Sequence, residues 1–420
     1  MSRNFERLFA LTQYPFTALE IFSTVDEESV ASVFVRINSA GVKLNQADFI
    51  LTLMSVFWDE GRTELETFCR SARRPSTGAP SPYNHFIQPD PDQLLRVSVA
   101  LAFRRARLEY VYSILRGKDL ETRSFSAERR DEQFATLAKA QSYVLHLTHW
   151  QEFTQVLRHA GFRSKSMISS EMVFLYSYAL FLIGRRDFKV SAHKLRSVIA
   201  RWFFFAALTS RYSASPETVM EQDLARLRAV HKDDADGFIA VLDNVISETL
   251  TNDFWAVNVP NDLASSSARS PALFAYHAAL MLLDAKALFS KLSIADLFDP
   301  TIVALKPPLD RHHLFPRNYL KGIGVTDIRE RNRIANYALV EWSDDIAISD
   351  TSPCDYFPKF VTARHITGAE LVKTSYWHAL PDGWENMTYA NFLVERQKLI
   401  ARVIQDGYAT LRDSTLHGEG

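Results

Sequence analysis

The stretch LDRHHLFPRNYLKGIG, residues 309–324, decides how the C-terminal part of this chain is interpreted. It places His312 next to His313 in a chain that has only 12 histidines among 420 residues. Adjacent residues cannot share one face of a helix, and on a strand they point to opposite sides of the sheet. Amphipathic packing therefore does not explain the pair. We expect a strand end or loop that directs one imidazole inward and the other toward a ligand.

The surroundings of the pair add positive charge and carboxylates. Between Lys306 and Asn336 seven cations face three anions, a local net charge of +4 in a chain whose total charge is −1. Phosphate contacts supply much of the affinity of proteins for nucleic acids, so such a patch favours a polyanionic partner. Asn336 opens the strand-like run NYALVEW, and Asp344 and Asp345 follow shortly after it.

These residue types match the requirements of phosphodiester hydrolysis. That reaction needs a base to deprotonate water, a divalent cation to polarise the phosphate, and cationic groups for the developing charge. One histidine as base, the other histidine with an aspartate as metal ligands, and nearby Arg and Lys side chains would supply all three. The alternative is a structural pair, with one ring buried and one solvated, beside a solvated basic surface. The residues by themselves leave both interpretations open.

Composition narrows the class of protein. Apolar residues make up 47% of the chain and charged residues 23%, the profile of an ordered globular protein. Cys69 and Cys354 are too few for a disulfide framework or a thiolate zinc site, and they fit a reducing cytosol. The start of the chain lacks a secretory signal pattern, and the most apolar segment, 172–184, is shorter than the roughly 20 residues that span a bilayer. We therefore predict a cytoplasmic protein without membrane contact, in which 172–184 is a buried helix.

Most of the chain carries a helical pattern. From about residue 90 to 290, apolar residues recur with a 3.6-residue period and predict a helical bundle. The pattern runs through 91–117 and 130–161, with Gly117 and Gly161 suited to C-terminal caps, and the aromatic run Trp202 to Phe205 is predicted to be core. Predicted parts of the chain are 1–72 (the helical half of an N-terminal domain), 73–89 (linker), 90–290 (helical domain), 291–365 (a small mixed module) and 366–420 (C-terminal helical segment).

The segments DRHHLFPRNYLKGIG and NRIANYALVEWSDDIAISDTSPCDYFP resemble the HNH nuclease module of the ββα-metal type. They are most similar to the version that closes the GmrSD-type modification-dependent restriction endonucleases. The N-terminal VFVRINSAGVKLNQADFIL is similar to that family's Phe-x-Arg-x-Asn-Ser-x-Gly-x-x-Leu stretch. The resemblance covers nearly the whole chain, and the two terminal motifs are its most specific part. It implies a mainly α (α+β) fold, with a central helical bundle and a small C-terminal ββα-metal HNH module.

The resemblance also implies an activity and a site. It implies a metal-dependent DNA endonuclease of bacterial restriction and anti-phage defence, which cuts foreign and cytosine-modified DNA. His313 would be the general base, Asn336 would orient it through the loop, and His312 with Asp345 would bind the metal. Mg²⁺ or Mn²⁺ suits these ligands. The phosphate contacts implied by motif position are Arg317 and Lys321.

Departures from the family pattern leave a second function open. Ala347 replaces a common Lys and Asp350 replaces an Asn, which removes a cation and adds negative charge near the phosphate site. The family's ParB-related N-terminal domain opens with Asp-Gly-Gln-Gln-Arg, and this motif is absent here. We therefore expect an N-terminal domain that is truncated, split or diverged; if it is split, a partner subunit would carry the missing half. The alternative function is a catalytically weakened or partner-dependent HNH-fold subunit that binds DNA.

Three residues of the N-terminal motif have their own two interpretations. Arg36, Asn38 and Gly41 could form the remnant of a nucleotide or modified-base pocket, in the manner of the family. Alternatively, Gly41 supplies a turn with positive φ and Asn38 caps a helix end.

Overall fold

The protein is mainly helical, with 67% helix, 4% strand and a two-stranded antiparallel sheet near the C-terminus. This computed structural model describes residues 46–118, 124–301, 309–341, 348 and 350–413, with single positions and one short turn before residue 46. The predicted mainly helical fold is confirmed. Within the described residues, no helix is both long enough and apolar enough to cross a membrane.

The chain divides into two compact units, Met1–Arg62 and Thr63–Gly420. In the first unit, helix α1 (Gln46–Phe57) buries Ala47, Ile50, Leu53 and Met54. Helix α2 (Asp59–Ser71) contains the division between the units. The remaining helices up to the sheet are α3 (Pro91–Phe103), α4 (Leu108–Leu115), α5 (Ala127–Val144), α6 (Leu147–His159), α7 (Glu171–Arg186), α8 (Ala192–Leu208), α9 (Pro216–Arg226), α10 (Ala235–Thr249), α11 (Val259–Leu263), α12 (Pro271–Leu282) and α13 (Ile294–Leu297).

The C-terminal part holds the sheet and five further helices. Its strands are β1 (Leu309–His313) and β2 (Tyr337–Glu341), and its helices are α14 (Arg317–Gly322), α15 (Ile328–Arg331), α16 (Pro353–Ala363), α17 (Gly368–Trp377) and α18 (Tyr389–Asp413). Strand β2 coincides with the strand-like run of the sequence, because its Tyr, Leu and Val side chains suit a pleated surface. Helix α18 coincides with the predicted closing helix.

The core of the second unit is built on α7 and α8. All residues from Val173 to Gly184 of α7 are buried, which confirms the predicted buried helix. Trp202 and Phe203 to Phe205 of α8 are fully buried, as predicted. Full burial of each such side chain contributes about 1.5–3 kcal/mol relative to exposure, so this pair of helices is a major source of stability.

The two segments with the predicted helical pattern, 91–117 and 130–161, each form two helices with a break between them. After α3, Arg104 has φ +54°, and α4 begins only at Leu108. The Glu221 carboxylate, on α9, accepts hydrogen bonds from the backbone N–H of Ala106 (2.6 Å) and Arg107 (3.2 Å). An acidic side chain at the start of a helix satisfies N–H groups that the helix leaves unpaired. The tertiary contact therefore starts a new helix where the apolar pattern continues.

The second break separates α5 from α6. The hydroxyl of Tyr178 donates to the Val144 carbonyl (2.7 Å), and Nδ1 of His149 lies 3.0 Å from the Tyr143 carbonyl oxygen. These side chains bind the last carbonyl groups of α5, which a continuing helix would otherwise use itself. The predicted glycine caps are confirmed, since Gly117 and Gly161 have φ of +76° and +87°.

Segment 73–89 contains no helix or strand, but it packs against the helical core. The indole N–H of Trp150 donates to the Pro82 carbonyl (2.8 Å), and Phe86 and Ile87 are buried. The second half of the predicted linker, 82–87, is therefore held by the second unit, whereas 73–80 is exposed.

Helix α18 joins the helical core to the sheet. It packs against α12, where a Cβ added to Gly407 would lie 2.5 Å from the Cβ of Ala279. Only a glycine allows the two helices to approach so closely. Toward the sheet, the Phe392 ring of α18 contacts the Phe315 ring, with centroids 4.8 Å apart. The position of the histidine pair is thus tied to the main core.

Candidate active site

The His-His pair lies at the end of a short β-hairpin-like sheet. β1 and β2 are antiparallel, with His312 opposite Ala338 and His313 opposite Tyr337. The backbone N–H of Leu288 donates to the Leu339 carbonyl (2.9 Å), so the other edge of β2 is also paired. Because side chains alternate along a strand, the two imidazoles point to opposite faces.

His312 is the inward member of the pair. Its side chain is buried, with 3% exposure, and its ring meets the ring of Tyr356 edge to face, with centroids 5.9 Å apart. The Nε2 atom is itself buried. An imidazole nitrogen is an ordinary ligand for a divalent cation, and an ion bound to this one would be shielded from bulk water.

His313 is half-buried. Its Nε2 atom contacts one group that suits the unprotonated nitrogen and one that suits the protonated nitrogen. Its ring packs on Tyr337, with centroids 4.5 Å apart. Nε of Arg317 lies 3.2 Å from Nε2, and Oδ1 of Asn332 lies 3.0 Å from the same nitrogen. A guanidinium can only donate, so it suits the lone pair of an unprotonated Nε2, whereas Oδ1 can only accept and suits a protonated Nε2. A nitrogen with a partner in either state can take up a proton and release it.

Asn336 holds the loop that follows His313. Its side chain is fully buried, its Oδ1 accepts from the Phe315 N–H (2.8 Å), and its Nδ2 donates to the Phe315 carbonyl (3.0 Å). Nδ2 also donates to the Arg331 carbonyl (3.0 Å), and the Asn336 carbonyl accepts from the Leu314 N–H (2.8 Å). These bonds fix the backbone immediately after His313, which restricts the orientation of its imidazole.

Tyr356 of α16 supports the same loop from the other side. Its buried hydroxyl donates to the Leu314 carbonyl (2.8 Å), next to His313. Burial raises the pKa of Tyr356 well above its usual value, so the hydroxyl keeps the proton that this bond needs. The strands β1 and β2 thus form the sheet, and α16, which follows them in the chain, packs on it through Tyr356.

Helix α18 supports the Asn336 turn through a buried guanidinium. Arg396, fully buried, donates to the carbonyl oxygens of Ala335 (2.7 Å) and His378 (2.9 and 3.1 Å). Burial lowers its pKa. The Tyr389 hydroxyl, at the start of α18, donates to the Glu330 carbonyl (2.7 Å). The loop that carries Asn332 is therefore fixed by the long helix.

The predicted basic patch separates into structural and exposed cations. Arg333 binds the Glu330 carboxylate and the Ala264 carbonyl oxygen, so its charge is neutralised within the fold. Arg311 and Arg317 are exposed and line one cavity of about 170 Å³ with the segment 266–268. The described lining of this cavity contains no carboxylate. A concave site with two guanidinium groups suits a phosphate.

A second cavity borders this one, and an acidic residue lies beside α14. A larger open cavity of about 980 Å³ shares Ser267 with it and is lined mostly by hydroxyl and amide side chains. On α14, Asn318 donates to the Asp350 carboxylate (2.8 Å). Asp350, which replaces an Asn of the family pattern, therefore lies beside the helix that carries Arg317.

The structure brings only some of the predicted site residues together. His313, Arg317 and the Asn336-bound loop are adjacent, and Lys321 is exposed one turn further along α14. Asp345 lies in 342–347, outside the described residues, as do Ala347 and the N-terminal Arg36, Asn38 and Gly41. Among the described residues, no three His, Cys, Asp or Glu side chains come together as a metal site.

Sequence reasoning missed three residues of this site: Asn332, Tyr356 and Arg396. Tyr356 belongs to the Ser-Pro-x-x-Tyr segment that the resemblance already included, so a signal for it existed. Asn332 sits between charged residues and Arg396 within a helical pattern, and neither position has a distinguishing spacing.

Comparison with known proteins adds no further assignment. No protein-family model matches the chain, and no curated protein matches it significantly.

Proposed function

We propose that this chain is a metal-dependent DNA endonuclease of the HNH type, with His313 as the general base. One observation carries the proposal. The Nε2 atom of His313 lies within hydrogen-bond distance of a donor, Arg317, and an acceptor, Asn332, and the buried Asn336 fixes the loop that follows His313. A second cation, Arg311, lines the cavity that Arg317 borders. The arrangement combines an oriented proton acceptor with phosphate-binding groups, as phosphodiester hydrolysis requires.

The residues have separate parts in the reaction. Water attacks the phosphorus atom and loses its proton to Nε2 of His313, whose N–H then donates to Oδ1 of Asn332. The bond between phosphorus and the leaving ester oxygen breaks, and that oxygen departs with the electron pair and takes a proton from solvent water. Asn336 keeps the imidazole in place through its bonds to Phe315. His312 and Asp345 would hold a divalent cation such as Mg²⁺ or Mn²⁺, which would polarise the phosphate and stabilise the developing charge. Because Nε2 of His312 is buried on the face of the sheet opposite His313, this role requires the His312 ring to turn toward the strand end when the metal binds.

Arg317 links phosphate binding to the availability of the base. In the structure its guanidinium occupies the Nε2 atom that must face water. A hydrogen bond from a guanidinium to an anionic phosphate is stronger than one from a guanidinium to a neutral imidazole. A phosphate entering the cavity therefore competes with His313 for Arg317. Arrival of DNA would therefore release the lone pair of His313 for the attacking water.

The same contacts support a second candidate function, a DNA-binding HNH-fold subunit that does not cleave alone. The Nε2 atom of His313 is engaged by both Asn332 and Arg317, and Asp350 adds a negative charge beside α14. In either function we propose a role in restriction-type defence in the cytoplasm, with a partner subunit that carries the Asp-Gly-Gln-Gln-Arg motif.

A plasmid-nicking assay tests the proposal. Wild type, His313→Ala and the matched control His193→Ala, an exposed histidine of α8, are compared with Mg²⁺ or Mn²⁺ on plain and cytosine-modified DNA. We expect cleavage that depends on the metal, is abolished by His313→Ala and is unaffected by His193→Ala. Cleavage that survives His313→Ala would refute the assigned base. A folded protein that binds but never cuts DNA would favour the second candidate.

A further inference from the structure

A cavity of about 340 Å³ lies between α17 and the segment that follows α12. Its position in the fold is fixed by contacts of that segment. The Leu288 N–H donates to β2, Ser290 Oγ bonds to the Glu341 carboxylate, and Nε2 of His378 lies 2.9 Å from the Lys286 carbonyl oxygen. A cavity with walls anchored in this way keeps its shape without a ligand.

The rim of the cavity is strongly cationic. Lys286, Lys291, Arg364 and Lys373 all line it, against the two carboxylates of Asp284 and Glu370. The lysine cavity is defined here by these six residues, and its net charge is +2.

The lysines of the rim are not neutralised by ion pairs within the described structure. The lysines that form ion pairs there are Lys165, Lys194 and Lys398, and none of these lines the cavity. Like charges held around one concave surface repel each other, and an anion bound among them relieves this repulsion.

The nearer carboxylate is already committed to the fold. Glu370 accepts from the backbone N–H of Thr367 (2.9 Å) and from its hydroxyl (3.1 Å), in a capping box at the start of α17. These bonds, and more weakly the charges of Lys291 and Lys286, lower the pKa of Glu370. Its Oε2 atom is thus bound at the helix end.

The floor of the cavity is apolar. The side chains of Phe289 and Trp377 line it and are 4% and 7% exposed, and the Lys373 ammonium lies 5.5 Å from the centroid of the Trp377 ring. Small-molecule sites combine this kind of apolar wall with a few charged groups, in volumes of about 300–1,000 Å³. A ligand here would have an anionic group at the rim and a ring or carbon skeleton on the floor.

We propose that the lysine cavity binds a phosphate monoester carried on a ring-bearing group. A monoester has a charge of about −1.5 to −2 at pH 7, so it attracts the three lysines of the rim more strongly than the single charge of a phosphodiester does. The monoester comes from a free nucleotide or from the phosphorylated end of a DNA strand. The proposal requires no cleavage by the chain, so it stands or fails separately from the proposed nuclease activity.

Titration calorimetry on the full chain tests the site. The probes are adenosine 5′-monophosphate, adenosine as its uncharged match, and short duplexes with 5′-phosphate or 5′-hydroxyl ends. The variant is the double substitution Lys286→Gln and Lys291→Gln, and the matched control is Lys232→Gln, an exposed lysine of the helical domain. Circular dichroism verifies that each variant is folded.

We expect saturable binding of the monophosphate but not of adenosine, weakened at least about tenfold in the double variant and unchanged in the control. Tighter binding of the 5′-phosphorylated duplex than of the 5′-hydroxyl duplex, with the difference lost in the double variant, would support the site with a DNA end as the source. Equal binding of both duplexes through these lysines would overturn the monoester assignment. Absence of monophosphate binding at millimolar concentration with equal binding of the two duplexes, or monophosphate binding that is insensitive to the lysines, would also overturn the proposal.

Discussion

Replacing Asn336 is the sharpest test of how His313 is held. The side chain makes three hydrogen bonds, two with the Phe315 backbone and one with the Arg331 carbonyl, and it is fully buried. A buried neutral bond contributes about 1 kcal/mol net, so Asn336→Ala should lower the free energy of unfolding by about 3 kcal/mol. The loop after His313 should lose its fixed backbone at the same time.

A second substitution tests the direction of the bonds. Asn336→Asp keeps the acceptor for the Phe315 N–H, but it places a carboxylate oxygen against the carbonyl oxygens of Phe315 and Arg331. Two donors are lost and a charge is buried, so we expect the aspartate variant to be at least as destabilised as the alanine variant.

Urea unfolding gives the free energy, and hydrogen exchange of the peptide 309–320 gives the local effect. A loss of about 3 kcal/mol corresponds to roughly 100-fold faster exchange of the Phe315 amide where local opening controls exchange. The control is Asn332→Ala, a half-buried asparagine whose described side-chain bond is to His313. If Asn336→Ala costs no more than Asn332→Ala, or if Asn336→Asp keeps wild-type stability, the described clamp is not what holds the loop.

Three further predictions concern the packing of α18 on α12, the buried His378, and Arg317 in the cavity of about 170 Å³. In Gly407→Val the new side chain would meet Ala279 at 2.5 Å, so the free energy of unfolding should fall by about 1–3 kcal/mol in urea titration. Burial lowers the pKa of His378 to about 4, below its unfolded value of about 6.5. Stability is therefore full above pH 6.5 and falls as the pH drops toward 4, and His378→Gln should reduce the loss between pH 7 and pH 5 by about 2 kcal/mol. If the chain binds DNA as proposed, Arg317→Ala should reduce the slope of log affinity against log salt by about 1 in fluorescence anisotropy.

Each of these predictions has a matched control. Gly368→Val adds the same side chain in open space at the start of α17, and should change stability much less than Gly407→Val. An unchanged pH dependence in His378→Gln would contradict the buried neutral state of that histidine. Lys232→Ala removes an exposed cation of the helical domain, and an equal loss of salt slope in this variant would show that the Arg317 effect is not specific to the site.

The features that the sequence by itself determined are those encoded by neighbouring residues. The apolar run 172–184 specified a buried helix, the periodic pattern specified α18, and the run after Asn336 specified β2. The adjacent histidines had to occupy opposite faces of any strand, and His312 is buried while His313 is half-exposed. Each of these follows from local periodicity, because burial of one face acts on residues a few positions apart.

Only the tertiary structure decided the features that join distant residues. The Glu221 carboxylate interrupts an apolar pattern at Ala106, more than a hundred residues away. Arg333, counted as part of a basic patch, donates to the carbonyl group of Ala264 in a distant turn. Arg396 reaches from α18 to the turn of Asn336. Hydrogen bonds and ion pairs depend on distance in space rather than on separation along the chain, and no sequence spacing encodes which partners the folded core brings within 3 Å.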